Sequence, residues 1–169
     1  MRTGVEEMLR MDANQQDGQS KPHRILAVAS GGGHWVQLLR MMPAFEGNEL
    51  VFASTMPSLR GEVADHRFYN VPDANRRRPI TMLRLMAKML WIVAKERPDY
   101  VISTGAAPGY MSILFGRLLG AQTIWVDSIA NVEELSMSGK MAGSFVTVWL
   151  TQWPHLQTPE GPACYGGVL

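Results

Sequence analysis

The sequence contains very little cysteine and no long apolar run. Cys164 is the one cysteine among 169 residues, which excludes an internal disulfide and fits a reducing compartment. No stretch approaches the ~18 uninterrupted apolar residues of a membrane-spanning helix, and residues 1–23 lack the apolar core of a signal peptide. Because 46% of the residues are hydrophobic, the chain is not a disordered one. We therefore expect a flexible N-terminal tail over residues 1–23 and a single domain over residues 24–169.

Several chemical signatures are missing as well. No group of His, Cys and Asp residues has the spacing of metal ligands, and no motif resembles the turn that carries a serine nucleophile. The glycines of the chain are not followed by the lysine of a phosphate-binding P-loop. These absences disfavour metal-assisted hydrolysis, serine hydrolases and P-loop nucleotide enzymes, and they direct attention to the loops between strands and helices.

The apolar runs that are present are short and rich in β-branched residues. Runs such as 25-ILAVA-29 are apolar at successive positions, as expected of parallel strands that are covered on both faces. The predicted strands are Ile25–Ala29, Leu50–Ser54, Arg67–Val71, Tyr100–Ser103, Thr123–Val126 and Phe145–Trp149. The predicted helices are Trp35–Met42, Pro79–Lys95 and Gly109–Leu119. This alternation predicts an α/β fold with a doubly wound, mostly parallel, Rossmann-like sheet.

A glycine-rich junction, 29-ASGGGHW-35, follows the first predicted strand. Glycines at this point let the backbone approach a ligand, and the first N–H groups of the next helix point at it. The junction, from Ser30 through Gly31, Gly32 and Gly33, therefore favours a phosphate or diphosphate. It lacks the third glycine of the dinucleotide-binding motif, and the same glycines also fit a plain tight turn.

His34 stands at the start of the helix that follows these glycines. A histidine in this place acts as a general base or hydrogen-bonds an anion. The helix N-terminus favours the neutral imidazole that a base requires. The alternative is a histidine that only packs against the loop and caps it.

Two further loops follow predicted strands and would lie at the same edge of the sheet. The loop 103-STGAAPG-109 offers a second group of N–H donors around Thr104 and Gly105, or a plain strand–helix connection. Asp127 and Ser128 begin the loop 127-DSIANVEELS-136, where a carboxylate serves acid–base chemistry, a sugar hydroxyl or only a helix cap. The three loops together predict one cleft.

The segment from Arg76 to Arg97 carries seven basic residues and one acidic residue, in a chain of net charge +1. Its predicted helix is apolar over most of its circumference and spans ~24 Å, less than the ~30 Å hydrocarbon core of a bilayer. It fits a helix that lies on an anionic membrane surface, or a core crossover helix with one solvated stripe. Aromatic residues are not interleaved with the basic ones, which argues against nucleic acid. The candidate membrane residues are Arg76, Arg77, Arg78, Arg84, Lys88, Trp91 and Lys95.

Several segments, taken in order, resemble a known protein family. They are SGGGH ending at His34, 103-STGAAPG-109, 124-IWVDSIANVEELSMSGKMA-142, 152-QWPHL-156 and 163-ACYGGVL-169. The combination resembles the membrane-anchoring subunit of two-part glycosyltransferases. One branch of this family acts on dolichol diphosphate in eukaryotes, and the other builds bacterial exopolysaccharide units on undecaprenyl diphosphate. The resemblance covers roughly Arg24 to Leu169. Asp127-Ser128 stands where the family has Glu-Ser, and Asn131 stands where it has an arginine.

The resemblance implies the N-terminal, acceptor-binding half of an inverting GT-B glycosyltransferase that is split across two chains. The partner chain would bind the UDP-sugar, and the acceptor would be a sugar on a polyprenyl diphosphate, with no cofactor or metal and no nucleic acid. The protein would lie peripherally on the cytoplasmic face of the inner membrane. A non-catalytic membrane scaffold and a small enzyme acting alone on a nucleotide or phosphate ester are the alternatives.

The resemblance also assigns roles to residues. His34 is the first candidate for the catalytic base, and Asp127 is the second. The candidate ligands of the acceptor diphosphate are Ser30, Gly31, Gly32, Gly33, Thr104, Gly105 and Ser128. The candidate partner interface consists of Gln152, Trp153, Pro154, Tyr165, Gly166 and Leu169.

Overall fold

The computed structural model describes residues 21–74 and 77–167 of the chain. Their strands are β1 (Arg24–Ala29), β2 (Glu49–Ser54), β3 (Arg67–Asn70), β4 (Tyr100–Ser103), β5 (Gln122–Val126) and β6 (Val148–Leu150). Their α-helices are α1 (Gly33–Arg40), α2 (Pro79–Glu96), α3 (Ala106–Leu118) and α4 (Met137–Ala142). Short 3₁₀ helices cover Met42–Phe45, Pro57–Val63 and Pro154–Leu156.

The strands form one parallel sheet in the order β3-β2-β1-β4-β5-β6. The chain winds outward from β1 to β3, then crosses over to β4 and continues in the other direction. The strand order therefore reverses between β1 and β4, and ligands of such sheets bind at the carboxyl ends of the strands beside that reversal. The predicted doubly wound α/β fold is confirmed.

The central strand β1 shows why the strands are apolar at successive positions. Leu26 and Val28 point into a core that is shared with α2 and α3. Ile25, Ala27 and Ala29 point into a second core on the opposite face, which includes side chains of α1. Since both faces of the sheet are covered, the middle of these strands is apolar, and their polar side chains stand mainly at the two edges of the sheet.

Some predicted boundaries are wrong for local reasons. The last strand begins at Val148 rather than Phe145, because the Phe145 N–H donates to the Ala142 carbonyl (2.8 Å) and closes the end of α4. Helix α3 begins at Ala106 rather than Gly109, which places Pro108 in the first turn, where its missing N–H has no partner to lose. Helix α1 covers Gly33–Arg40 rather than Trp35–Met42.

Helix α2 buries one side and exposes a wide apolar side. Leu85 and Met89 are fully buried against the sheet. Ile80, Leu83 and Leu90 have 70%, 63% and 45% of their surface exposed. Of the two alternatives, the core crossover helix describes only the buried side, because the exposed side is broad and largely apolar rather than a single solvated stripe. Within the described residues, no helix is both long and apolar enough to cross a membrane.

Candidate functional site

The three loops that were predicted to share a cleft meet at the carboxyl edge of the sheet, after β1, β4 and β5. We call the space between them the crevice and define it by Ser30–His34, Thr104–Gly105 and Asp127–Ser128. The Thr104 hydroxyl donates to the main-chain carbonyl of His34 over 2.7 Å, which ties the second loop to the first. Helix α1 is tied in turn to the loop after β5, through the side chain of Gln37.

The imidazole of His34 is held from two sides. Its Nδ1 lies 2.8 Å from Ser30 Oγ, within its own loop. Gly105 packs against the opposite side of the ring, since a Cβ atom at Gly105 would lie only 2.6 Å from Nε2 and Cδ2. When Nδ1–H donates to Ser30, the lone pair is on Nε2, which is the tautomer that a base requires.

The electrostatics of the crevice favour a neutral imidazole. Burial lowers the pKa of His34 below its ordinary value of 6.5, and the negative charge of Asp127 opposes this by raising it. Burial is the larger effect, because it removes solvent from the charged form. A neutral imidazole can accept a proton, and the nearby carboxylate stabilises the imidazolium that results.

The start of α1 offers N–H donors to an anion. Its N-cap residue is Gly32, with φ at 68°, and no side chain caps this helix. The Trp35 and Val36 N–H groups donate to the Gly32 carbonyl over 3.1 Å, and the N–H groups before them precede the first bond of the helix, where an anion can bind. Gly31 lies against the Met56 side chain, which leaves no room for a Cβ atom, whereas Gly33 has open space around it. The backbone of this junction can therefore receive a phosphate from the open side.

Only 1% of the surface of Asp127 is exposed, and both oxygens of its carboxylate accept hydrogen bonds. One oxygen accepts from the Ser128 N–H (2.9 Å) and from the Asn131 amide. The other accepts from the Ser136 hydroxyl (3.0 Å) and from the Trp125 indole N–H (3.4 Å). A carboxylate has about four lone-pair positions, and all of them meet donors here. The geometry therefore makes Asp127 the organiser of the loop 127–136.

The segment after β6, which was predicted to face a partner, supports the same loop with several of its side chains. Gln152 is buried, and its amide donates to the Asp127 carbonyl over 3.1 Å. The Trp153 indole donates to the Ile129 carbonyl over 2.9 Å. Pro154, Tyr165 and Gly166 are exposed, and Leu169 lies outside the described residues. These exposed residues are the part of the predicted interface that a partner can reach.

The candidate membrane residues lie apart from the crevice, around helix α2. The Nζ atoms of Lys88 and Lys95 lie 4.6 Å and 4.8 Å from the centre of the Trp91 ring, one on each adjacent turn. Arg77, Arg78 and Arg84 are exposed near the start of the helix, and Arg76 lies outside the described residues. The basic side chains thus flank the apolar surface of Ile80, Leu83 and Leu90.

Sequence reasoning missed the hydrogen bonds that hold the crevice together. Gln37 carries no motif, and the motifs that contain Ser136 and Gln152 do not predict their bonds, because the partners are main-chain atoms or a carboxylate that only the fold brings near them. The one local signal is Gln37, a polar residue one turn after His34 on the inner side of α1. In the described part of the chain, no three potential metal ligands are grouped closely enough to hold an ion.

Solved structures with the same architecture include glycosyltransferases. The MurG protein of Acinetobacter baumannii superposes with a TM-score of 0.70 at 15% identity, over 86% of this chain and 46% of MurG. A glycosyltransferase of Rickettsia africae gives a TM-score of 0.58 at 18% identity, over 79% of this chain and 37% of its own. The chain therefore spans less than half of each of these proteins, and it has the fold of one half of a GT-B glycosyltransferase.

Curated relatives match over most of their length. The human UDP-N-acetylglucosamine transferase subunit ALG14 is 27% identical over 176 residues, which cover 85% of this chain and 81% of that protein. The corresponding subunit of Yarrowia lipolytica is 24% identical over 178 residues, covering 86% and 81%. Residues 6–169 match the family described as oligosaccharide biosynthesis protein Alg14 like. The resemblance found in the sequence is thereby confirmed, and the chain belongs to the Alg14-like family.

Proposed function

We propose that this protein is the acceptor-binding subunit of a heteromeric inverting glycosyltransferase. It acts with a partner chain that binds a UDP-sugar, and the sugar is transferred to a polyprenyl-diphosphate-linked acceptor. The observation that carries the proposal is a half-buried His34, whose pKa is lowered by burial, beside a helix N-terminus without a side-chain cap, at the strand reversal of half a GT-B fold. The relatives that are named as transferase subunits support the division of labour between two chains.

The acceptor diphosphate binds at the start of α1 in this proposal. The N–H groups around Gly31–Gly33 face it, and the helix dipole favours its negative charge. Thr104 and Gly105 contribute indirectly, because the Thr104 hydroxyl bonds His34 and the Gly105 N–H donates to Ser103 Oγ over 3.2 Å. Ser128 is anchored by its own N–H, and its hydroxyl proton is free to reach the acceptor.

His34 is the proposed base. Its Nε2 accepts the proton of the acceptor hydroxyl while the hydroxyl oxygen bonds to the anomeric carbon of the donor sugar. The bond between that carbon and the UDP oxygen breaks, UDP leaves with the electron pair, and the configuration at the carbon inverts. Asp127 stabilises the imidazolium through its charge, and its own lone pairs are occupied.

Helix α2 is the proposed membrane contact. Its exposed apolar side chains can enter the boundary between headgroups and acyl chains, while Lys88 and Lys95 beside Trp91 meet anionic headgroups. The start of α2 follows the carboxyl end of β3, so its first turn lies at the same edge of the sheet as the crevice. An acceptor embedded in the membrane would therefore meet the crevice from the side of Ile80 and Leu83.

The enzymatic proposal is tested by co-expressing this chain with its donor-binding partner. Membranes with either chain alone or both together are assayed for transfer from a panel of UDP-sugars to a prenyl-diphosphate acceptor. We expect transfer only with both chains, and a loss of roughly 10²–10⁴-fold for His34→Ala, the usual contribution of a general base. Transfer by this chain alone would refute the proposal that the enzyme needs two chains. Near-full turnover by His34→Ala would refute the proposal that His34 is the base.

The membrane contact is tested by flotation of the purified chain with vesicles. We expect binding to vesicles that contain an anionic phospholipid, with much weaker binding for the double variant Leu83→Gln and Leu90→Gln. Val36→Gln is the matched control, because Val36 is 50% exposed on a helix of the opposite face of the sheet. Equal loss of binding in the control, or none in the double variant, would place the contact elsewhere.

A further inference from the structure

Gln37 is a buried polar side chain on the inner side of α1, where its neighbours Trp35 and Leu38 are hydrophobic and buried. Only 5% of its surface is exposed. A leucine or methionine would fill the same space without an amide that must be hydrogen-bonded. Burying an amide is costly unless its donors and acceptor find partners, so the partners of Gln37 indicate what the amide does.

Those partners all lie at the end of β5 and the start of the loop that follows it. The Gln37 Nε2 lies 3.2 Å from the Asp127 carbonyl oxygen and 3.5 Å from that of Val126. The Gln37 Oε1 accepts from the Ile129 N–H over 3.3 Å. One side chain therefore contacts the main chain of three residues, Val126, Asp127 and Ile129, from a helix that follows another strand.

A second amide reaches the same carbonyl from the other direction. Gln152 Nε2 donates to the Asp127 carbonyl over 3.1 Å, so this oxygen accepts from α1 and from the segment after β6. The Thr104 hydroxyl fixes the His34 carbonyl from β4. The backbone on both sides of the crevice is thus pinned by side chains, and Gln37 is the one that joins the two sides.

We infer that Gln37 is a positioning residue for the transfer reaction: it fixes the loop Asp127–Ile129 relative to His34. Gln37 and His34 stand three residues apart on one helix, within the ~5.4 Å of one turn. A displacement of the loop is therefore prevented by the same rigid element that carries the base. Misplacement of reacting groups by about 1 Å can cost 10²-fold in rate, which sets the scale of the effect. The inference rests on the proposed transferase function.

The test replaces the amide and keeps its volume. Gln37→Met is compared with the wild type in the complex of both chains, and Val36→Ala, an exposed neighbour on the same helix, is the control. We expect kcat to fall about 10- to 100-fold in Gln37→Met, with the KM for the UDP-sugar unchanged because the donor lies on the partner. Gln37→Glu keeps an acceptor for the Ile129 N–H but turns a second oxygen toward the Val126 and Asp127 carbonyls, so we expect it to lose at least as much kcat as Gln37→Met.

A second readout does not depend on activity. The imidazole of His34 is titrated by NMR in the full chain, where Asp127 raises its pKa. If Gln37→Met lets the loop move away, the pKa of His34 falls, and in Val36→Ala it stays unchanged. An unaltered His34 titration together with unaltered kcat would overturn the inference, as would a parallel change in the donor KM. A wild-type complex without any transfer would instead refute the proposed function, and the titration would still report on the loop.

Discussion

The two edges of the sheet use their polar side chains in opposite ways. At the carboxyl edge, neutral side chains bond to main-chain atoms, as Thr104 does to His34 and Gln152 does to Asp127. At the amino edge, charged side chains bond to each other. Arg24 pairs with Glu49 over 2.8 Å, and Arg67 pairs with both Glu49 and Glu96. Tyr69 adds its hydroxyl to the carboxylate of Glu96.

This difference indicates that the carboxyl edge forms a binding site and that the amino edge stabilises the fold. Bonds from neutral side chains to the backbone at the carboxyl edge fix the shape of a crevice that contains the start of α1 and the imidazole of His34. The charges at the amino edge neutralise each other and tie the starts of β1, β2 and β3 to the end of α2. Catalysis should therefore depend on the first edge and stability on the second, and three experiments can sharpen or break this division.

The largest difference is expected between two glycines with the same backbone restriction. Gly105 has φ at 146° and Gly120 has φ at 92°, so alanine is strained at either position, by about 1–3 kcal/mol. Gly105 touches the His34 ring at the carboxyl edge, whereas a Cβ atom at Gly120, after α3, meets nothing within 4 Å. We expect Gly105→Ala to reduce transfer about 100-fold or more, because displacing a base by an ångström has that effect.

Gly120→Ala should lose stability through its positive φ alone, without a clash, and keep its turnover. Transfer is measured in the complex of both chains, and urea unfolding is measured on each variant of this chain. Equal turnover of the two variants would show that Gly105 is needed only for its backbone conformation. The contact between Gly105 and His34 would then have no role in catalysis.

A smaller effect, on stability alone, is expected at the amino edge. Glu96 is 1% exposed and accepts from the exposed Arg67 over 2.8 Å and from the partly buried Tyr69, so Glu96→Ala leaves both donors without this partner. Breaking such a buried pair typically costs 3–5 kcal/mol, and the half-exposed Arg67 places the expected loss near the lower limit. The turnover of the folded complex should not change.

Glu49→Ala is the matched control for this variant. Glu49 is 38% exposed and pairs with Arg24 and Arg67 in partial contact with water, where an ion pair contributes about 0–1 kcal/mol. Urea unfolding followed by circular dichroism measures both variants. A loss of turnover in Glu96→Ala, well below its unfolding midpoint, would show that the two edges are coupled through α2.

The sequence predicts the sheet well, because strands covered on both faces leave a signal in consecutive apolar residues. It places His34 and Asp127 at one edge for the same reason, since both follow the ends of strands. The prediction fails where a hydrogen bond that the apolar pattern does not reveal sets the boundary of an element. The Phe145 N–H, for example, bonds to the end of α4, and β6 begins later than predicted. The sequence leaves α2 open between a membrane-surface helix and a core helix, because an apolar residue carries no sign of whether it is covered.

The residues that hold the crevice together are far from each other along the chain. Gln37 reaches the Asp127 carbonyl across 90 residues, and Gln152 reaches it across 25. No local periodicity predicts such contacts. The Ser136 hydroxyl donates to the carboxylate of Asp127, nine residues away, and only the folded loop brings the two together. The sequence could therefore name two candidate bases, and the hydrogen bonds around each of them favour His34.

The smallest expected effect is the pH dependence that His34 gives to the carboxyl edge. Burial holds its pKa below 6.5 in the folded protein, so the acid limb of kcat/KM should lie below pH 6.5. The unfolded chain binds the proton more readily than the folded one. The contribution of neutral His34 to stability is therefore complete above pH 6.5, and it is lost as the pH falls from 6.5 through the folded pKa. Urea unfolding at pH 7.5 and 5.5 should show a larger decline for the wild type than for His34→Gln. An equal decline in both would mean that the amino edge, with its paired carboxylates, dominates the acid response.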